Sequence, residues 1–405
     1  MSTEKPVRPG VLLRRASIVL VAAWAVTVAR AADVDFRPTM TFGIFHGGNL
    51  AVIGGGRGDE AASLAFDLLA ERKTEKSAFA FTYRPSYVAY RQNSDLNYFG
   101  NSIVMGYARE SSLVTRFKVD AYLSRSDSQG QSADTADRAL TFIPRTTLTH
   151  GDVRIGGTAR AGRRGLVDWQ LRAGADRYKD TKDDPTTVLV EAFDFNDSTA
   201  IGGRLAFRGE LSVRNSLGVG LELASFGYEN TTGALVESVG IVGACQANES
   251  WLFEYSVGGT RATSDGEAID GASFDAKLAY AIGKASTFSA GARQVFAPGT
   301  GLTGTTQDRG GWLSYGHVPT GWGLSGSVVA GYWQRDELRF ANSGANQDTA
   351  AFNVNGLIGW KFNRYITIDW AYAFIDQRAR NESSPTLNTS YSNYGLFLRW
   401  AIRGR

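Results

Sequence analysis

The chain has 405 residues, 43 Lys and Arg against 40 Asp and Glu for a net charge of +3, and one cysteine, Cys245. So even a charge balance gives no electrostatic footprint for nucleic acid, and a lone cysteine forms no internal disulfide and sits in no metal-binding pattern. Gly is abundant at 47, Tyr and Trp stand at 16 and 9, and Pro is scarce at 9, the usage expected of many strands joined by tight turns.

The first element is a leader. Lys5, Arg8, Arg14 and Arg15 precede an apolar run from Ala16 to Ala29, and Ala29-Arg30-Ala31 supplies an A-x-A cleavage site. At about 14 residues the run falls short of the roughly 20 that span a bilayer as a helix. Residues 1–31 therefore read as a signal peptide and residues 32–405 as the mature chain.

From 39–48 onward one rhythm repeats. Ten to fourteen residues alternate in polarity, a short turn follows, then another strand, then a longer polar loop. The short turns include 72–76, 110–112, 162–165, 247–250, 283–285, 319–321 and 363–364. The longer connections include 49–59, 91–97, 127–148, 180–196, 265–271, 298–305, 337–347 and 379–389, rich in Gly, Asp, Asn, Ser and Thr. Successive side chains of a strand point to opposite faces. Phe117, Val119 and Leu123 thus oppose Arg116, Lys118 and Asp120. Trp251, Phe253 and Tyr255 oppose Glu254 and Ser256, and Ile366, Ile368, Trp370 and Tyr372 oppose Thr367 and Asp369. At the end, Tyr394, Leu396, Leu398 and Trp400 share one face while Asn393, Gly395 and Arg399 share the other, with Phe397 the exception.

Strands this long, with short and long connections in alternation, predict an all-β fold: a transmembrane antiparallel up-and-down β-barrel in the outer membrane of a Gram-negative bacterium. Tracing gives about 18 strands, with 138–161 read as one descending strand near its end; 16 is the alternative count. The final strand resembles the signal read by the barrel assembly machinery, with Asn393, Gly395, Leu398 and Trp400 in its places; the chain departs from it in continuing to Arg405. The expected partners are therefore outer-membrane lipid and that machinery.

The chain also resembles the putative β-barrel porin family of the second type. The likeness rests on Arg37-Pro38-Thr39-Met40 leading to Gly48-Asn49, on Tyr83-Arg84-Pro85, and on Phe195-Asn196-Asp197-Ser198 followed by Leu217 to Tyr228. The resemblance implies a role in polysaccharide export, with periplasmic export components as partners.

A barrel of this size holds an aqueous channel. Inward positions carry Arg116, Lys118, Arg154, Arg172 and Arg204 on one wall and Glu222, Glu254, Asp275 and Asp369 on the other. Such walls predict a channel that draws anions along its basic side. The bland alternative is that these charges pair and merely solvate the lumen. Phe226 and Trp333, inward at strand ends, read either as platforms for sugar rings or as rim packing.

A structural or adhesive barrel with a closed lumen is the alternative function. His46, His150 and His317 read as solvated residues at strand ends. Asp59-Glu60 and Asp183-Asp184 read as loop carboxylates. No enzymatic activity, metal or cofactor is expected. N-terminal sequencing of the protein recovered from outer membranes should begin at Ala32; a start at Met1 would make the apolar run an anchor.

Overall fold

The computed structural model describes residues 34–402 apart from 48–57, 95–96, 113–114, 128–146, 179–196, 230, 300–303, 320–322, 341–347 and 381–387. The leader at 1–31 lies outside the described residues, as do Asp183-Asp184 and most of the connection 127–148. The described strands are β1 (Asp35–Gly47), β2 (Asp59–Lys73), β3 (Ser77–Tyr90), β4 (Tyr98–Ser112), β5 (Thr115–Asp127), β6 (Thr147–Ala161), β7 (Gly165–Tyr178), β8 (Ser198–Ser212) and β9 (Asn215–Tyr228). The second half continues with β10 (Ala234–Cys245), β11 (Trp251–Ser264), β12 (Glu267–Ile282), β13 (Ser286–Ala297), β14 (Thr306–His317), β15 (Leu324–Glu337), β16 (Thr349–Lys361), β17 (Ile366–Ala379) and β18 (Thr389–Ala401).

Each strand pairs antiparallel with its neighbours in sequence, and β1 also pairs with β18, Thr39 opposite Ala401 through Gly47 opposite Asn393. The sheet is thus a closed 18-stranded barrel, the higher of the two strand counts. Strands of 12 to 16 residues exceed the 9–11 that a tilted strand needs to cross a bilayer. No described helix is long and apolar enough to cross one. Residues 147–161 form a single strand, as read for the end of 138–161, of which 138–146 lie outside the described residues.

Register fixes the faces, because directly opposed residues share one side of the sheet. Phe207 opposes Val219, which opposes Ile241 and then Val257. These side chains are 54–56% exposed in the isolated chain. An apolar belt so bare is a lipid-facing surface, and the chain is a transmembrane barrel of the outer-membrane type. Aromatic residues border the belt: Trp251 stacks on Tyr280 at 4.1 Å beside one rim, and Tyr87 and Phe99 face each other near the opposite one. Above the belt, just short of the β11–β12 tip, Arg261 donates two hydrogen bonds to Asp270 at 2.7 and 3.0 Å. An ion pair on the outer face is tolerable at headgroup level and costly in hydrocarbon. Cys245 ends β10 on the same outer face, opposite Phe253.

Two features stand out against the sequence reading. The connection expected over 265–271 is a two-residue turn, Asp265-Gly266, with φ of 48° and 83°. That geometry suits Asp-Gly in a tight hairpin, so the polar stretch after it is already strand. The second concerns Phe397, the exception already visible in the last strand, whose place the structure explains. It lies over Gly43, where an added Cβ would meet its ring at 2.3 Å, and it stacks with Phe45 at 6.5 Å. A glycine on β1 makes room for an aromatic on β18 across the closing seam.

The facing makes a sharp prediction. Val257→Arg, on the outer face at mid-strand, should cost ~2–4 kcal/mol of folding free energy in lipid vesicles. Ser256→Arg, one residue away and opposite Asp275, should cost little. Equal costs in a urea titration would mean that the faces are wrongly assigned.

Candidate functional site

The inner face is the functional surface of a barrel this wide. All nine charged residues expected there share it: Arg116 and Lys118 on β5, Arg154 on β6, Arg172 on β7, Arg204 on β8, Glu222 on β9, Glu254 on β11, Asp275 on β12 and Asp369 on β17. Their neighbours decide how much charge each offers to the lumen. Arg116 lies 3.1 Å from Glu110, Lys118 2.7 Å from Asp120, and Arg154 2.8 Å from Asp152. Arg172 and Arg204 make no ion pair with the described residues. Arg172 faces Arg154 directly, and Arg204 lies between Gln170 and Glu222 in register. The basic wall therefore narrows to a patch at mid-height on β7–β8.

Further pairs on this sector tie the wall together. Arg208 holds Asp168 at 2.5 Å, Arg160 holds Glu210 at 3.0 Å, and Asp168 also accepts a bond from Thr158 at 2.7 Å. Asp67 and Arg84 pair across β2 and β3. Sequence reading missed these because pairing depends on register, and register depends on turn lengths that composition does not set.

The acidic wall is thinner than expected. Glu222, Glu254 and Asp275 face the lumen without ion pairs among the described residues. Asp369 does not: it is 3% exposed and accepts two bonds from Arg399, at 2.5 and 2.8 Å. Its charge is cancelled on β18, so it belongs to the closing seam rather than to an acidic lining.

Toward the rim that carries the longer connections, the external side of such barrels, the inner face is covered. Trp333 and Phe226 are each 2% exposed, Thr306 0%, Gln377 1% and Arg335 6%. Near the opposite rim the Arg116 and Lys118 side chains are 72% and 65% exposed. Among the described residues the inner face is exposed and charged toward the periplasmic side and covered toward the external side. Phe226 and Trp333 are accordingly packing residues, not platforms for sugar rings. Arg335 binds Asp308 through two bonds of 2.8 Å, an ion pair invisible in the sequence because its members lie 27 residues apart.

The remaining candidates are accounted for locally. Asp59 accepts bonds from the backbone of Glu60, Gln92 and Asn93 and from the Asn93 amide, which makes it a clasp between two connections. His46 lies against Tyr394 on the outer face. His150 contacts Asp176 at 2.5 Å and His317 contacts Ser286 at 2.8 Å. Among the described residues no three ligating side chains gather as a metal site would require. Of the assembly-signal residues, Asn393 and Gly395 point inward and Leu398 and Trp400 outward on β18.

No protein-family model matches the chain, and no curated protein does. Similar solved structures include OccK2 (OpdF) of Pseudomonas aeruginosa in complex with glucuronate, at 13% identity over 91% of this chain and 99% of that one, with a TM-score of 0.44. Acinetobacter baumannii OccAB4 is 9% identical over 92% and 99% with a TM-score of 0.42, and the siderophore receptor PirA of P. aeruginosa is 10% identical over 92% and 81% with a TM-score of 0.40.

The seam pair gives an asymmetric expectation. Arg399→Ala strands a buried carboxylate and should destabilise by about 1–3 kcal/mol, whereas Asp369→Asn, which leaves a half-exposed guanidinium, should cost less. Urea unfolding in vesicles reads both; the reverse order would mean that Arg399, not Asp369, is the constrained partner.

Proposed function

We propose that the protein is an outer-membrane channel that passes small polar solutes and favours anions. The observation that carries this is the pair of guanidiniums, Arg172 and Arg204, that face the lumen without an ion pair among the described residues, while Arg116, Lys118, Arg154 and Arg208 each lie beside a carboxylate. Charges lining a water-filled pore raise the local concentration of counter-ions and set selectivity.

Export of polysaccharide draws less support. Its basis is the family resemblance, carried by rhythm more than by distinctive motifs, and the two aromatics best placed to stack on sugar rings are packed away. A structural barrel with a closed lumen is favoured by one observation, the covered inner face on the external side.

The discriminating experiment is single-channel recording of the refolded mature protein in a planar bilayer under a salt gradient. Steady conductance with anion preference is expected. The double variant Arg172→Glu/Arg204→Glu should shift the reversal potential toward cation preference, while Arg116→Glu, next to its own carboxylate, should shift it less. Conductance with an unchanged reversal potential would remove the basic patch from the account.

A further inference from the structure

The external ends of β13, β14 and β15 do not stay in the wall. β12 pairs with β11 along its whole length, from Glu267 opposite Ser264 to Tyr280 opposite Trp251. It pairs with β13 only from Phe274 to Ile282. Above Phe274 the two strands part.

Side-chain parity shows which way β13 goes. Its odd-numbered residues face the lumen, as Arg293 does opposite Asp275, so Phe296 belongs to the outer face. Yet Phe296 is 8% exposed and packs in one apolar cluster with Ala224, Phe226, Val236 and Ala262, all inner-face residues of β9, β10 and β11. Leu338, just beyond β15, belongs to the outward set and joins the same cluster. An outward face can meet an inward face only if one sheet lies inside the other. The ends of β13–β15 are therefore folded into the lumen, over the inner surface of β9–β11.

Hydrogen bonds fix them there. The Tyr228 hydroxyl, at the end of β9, accepts from the Gly299 N–H at 3.2 Å and bonds the Thr305 hydroxyl at 3.2 Å. Strands lie about 4.8 Å apart, so β9 and β13 are separated by ~19 Å along the wall. Gly299 and Thr305, which follow β13 and precede β14, reach Tyr228 from across that arc and so lie inside the lumen. Glu337 accepts from the Gly304 N–H at 3.0 Å, Leu338 N–H donates to Thr305 at 2.9 Å, and the Asp308–Arg335 pair braces the luminal side of the fold.

We infer that the inward-folded ends of β13–β15, clamped by Phe296 and Leu338 on Phe226, Val236 and Ala262, form the constriction that sets the size limit of the passage. This rests on the channel reading. It makes the filter one-sided: solute enters freely from the periplasmic end and meets its limit just below the external mouth.

The test is exclusion of poly(ethylene glycols) of graded mass, added to one side of a bilayer at a time, on channels inserted in a single orientation. Polymer on the periplasmic side should enter and depress conductance up to a larger mass than polymer on the external side. In Phe296→Ala/Leu338→Ala, checked for folding by heat-modifiable gel mobility, the asymmetry should shrink and conductance rise ~twofold or more. A silent wild type with a conducting double variant also supports the constriction. A conducting wild type with equal cut-offs from both sides overturns it and leaves the channel reading intact, and this arm needs no variant to fold. Silence in both proteins, each folded, overturns the channel reading and the constriction with it.

Discussion

Hydrocarbon offers no partner to a backbone N–H or C=O, and every other property of this molecule answers to that fact. A sheet in lipid must close on itself, so β1 must find β18, and the inside and outside of the ring acquire opposite solvents. The alternation of side chains then ceases to be a preference. A residue on the wrong face pays in full, because it meets lipid instead of water or the reverse. The exceptions that survive are local and answered: Phe397 has the space left by Gly43, and the outward Arg261 has Asp270 and headgroup height.

The same closure explains why so many lumen charges come in pairs. The inner surface must be wet enough to keep water and polar enough to avoid collapse. Isolated charges of one sign would repel across the ring. Arg208 with Asp168, Arg160 with Glu210 and Arg399 with Asp369 meet both demands, and the first two, being partly exposed, contribute modestly to stability. Beside these pairs the guanidiniums of Arg172 and Arg204, like the carboxylates of Glu222, Glu254 and Asp275, have no ion pair among the described residues, and the placement of the two arginines on adjacent strands makes a patch rather than a scatter.

Strand number, facing and closure were legible because a closed sheet in lipid imposes a period of two with alternating turn lengths, and few soluble folds sustain both. The same period puts the nine charged positions on one face of the sheet; what they do there is not written in it. What was illegible depends on distance in space. Composition marked 265–271 as a loop, yet Asp265-Gly266 suffices for the turn and the polar residues beyond it lie in a strand. Phe226 and Trp333 have the parity of lining residues, and parity alone says nothing about a second layer of chain above them. Asp369 reads as an acidic wall until Arg399, on the strand that closes the ring, is set beside it. The infolding of β13–β15 left one sequence trace, the aromatic and aliphatic residues Phe296, Leu338 and Phe340 at the ends of strands. Rim residues of an ordinary barrel look the same.

The parting of β12 from β13 has a mechanical consequence. Its ladder runs nine residues, Phe274–Ile282 against Ser286–Gln294, matched in shortness only by the closing ladder, Thr39–Gly47 against Asn393–Ala401. The other ladders run to eleven or more. The wall is thus two panels, β1–β12 and β13–β18, joined along the two lines of shortest pairing. Lateral pressure in the bilayer would flex the cylinder along those lines before it bent a panel, changing its cross-section from round to oval with little loss of hydrogen bonding. A thicker or more tightly packed membrane would then bear on the shape of the lumen without touching a single residue inside it.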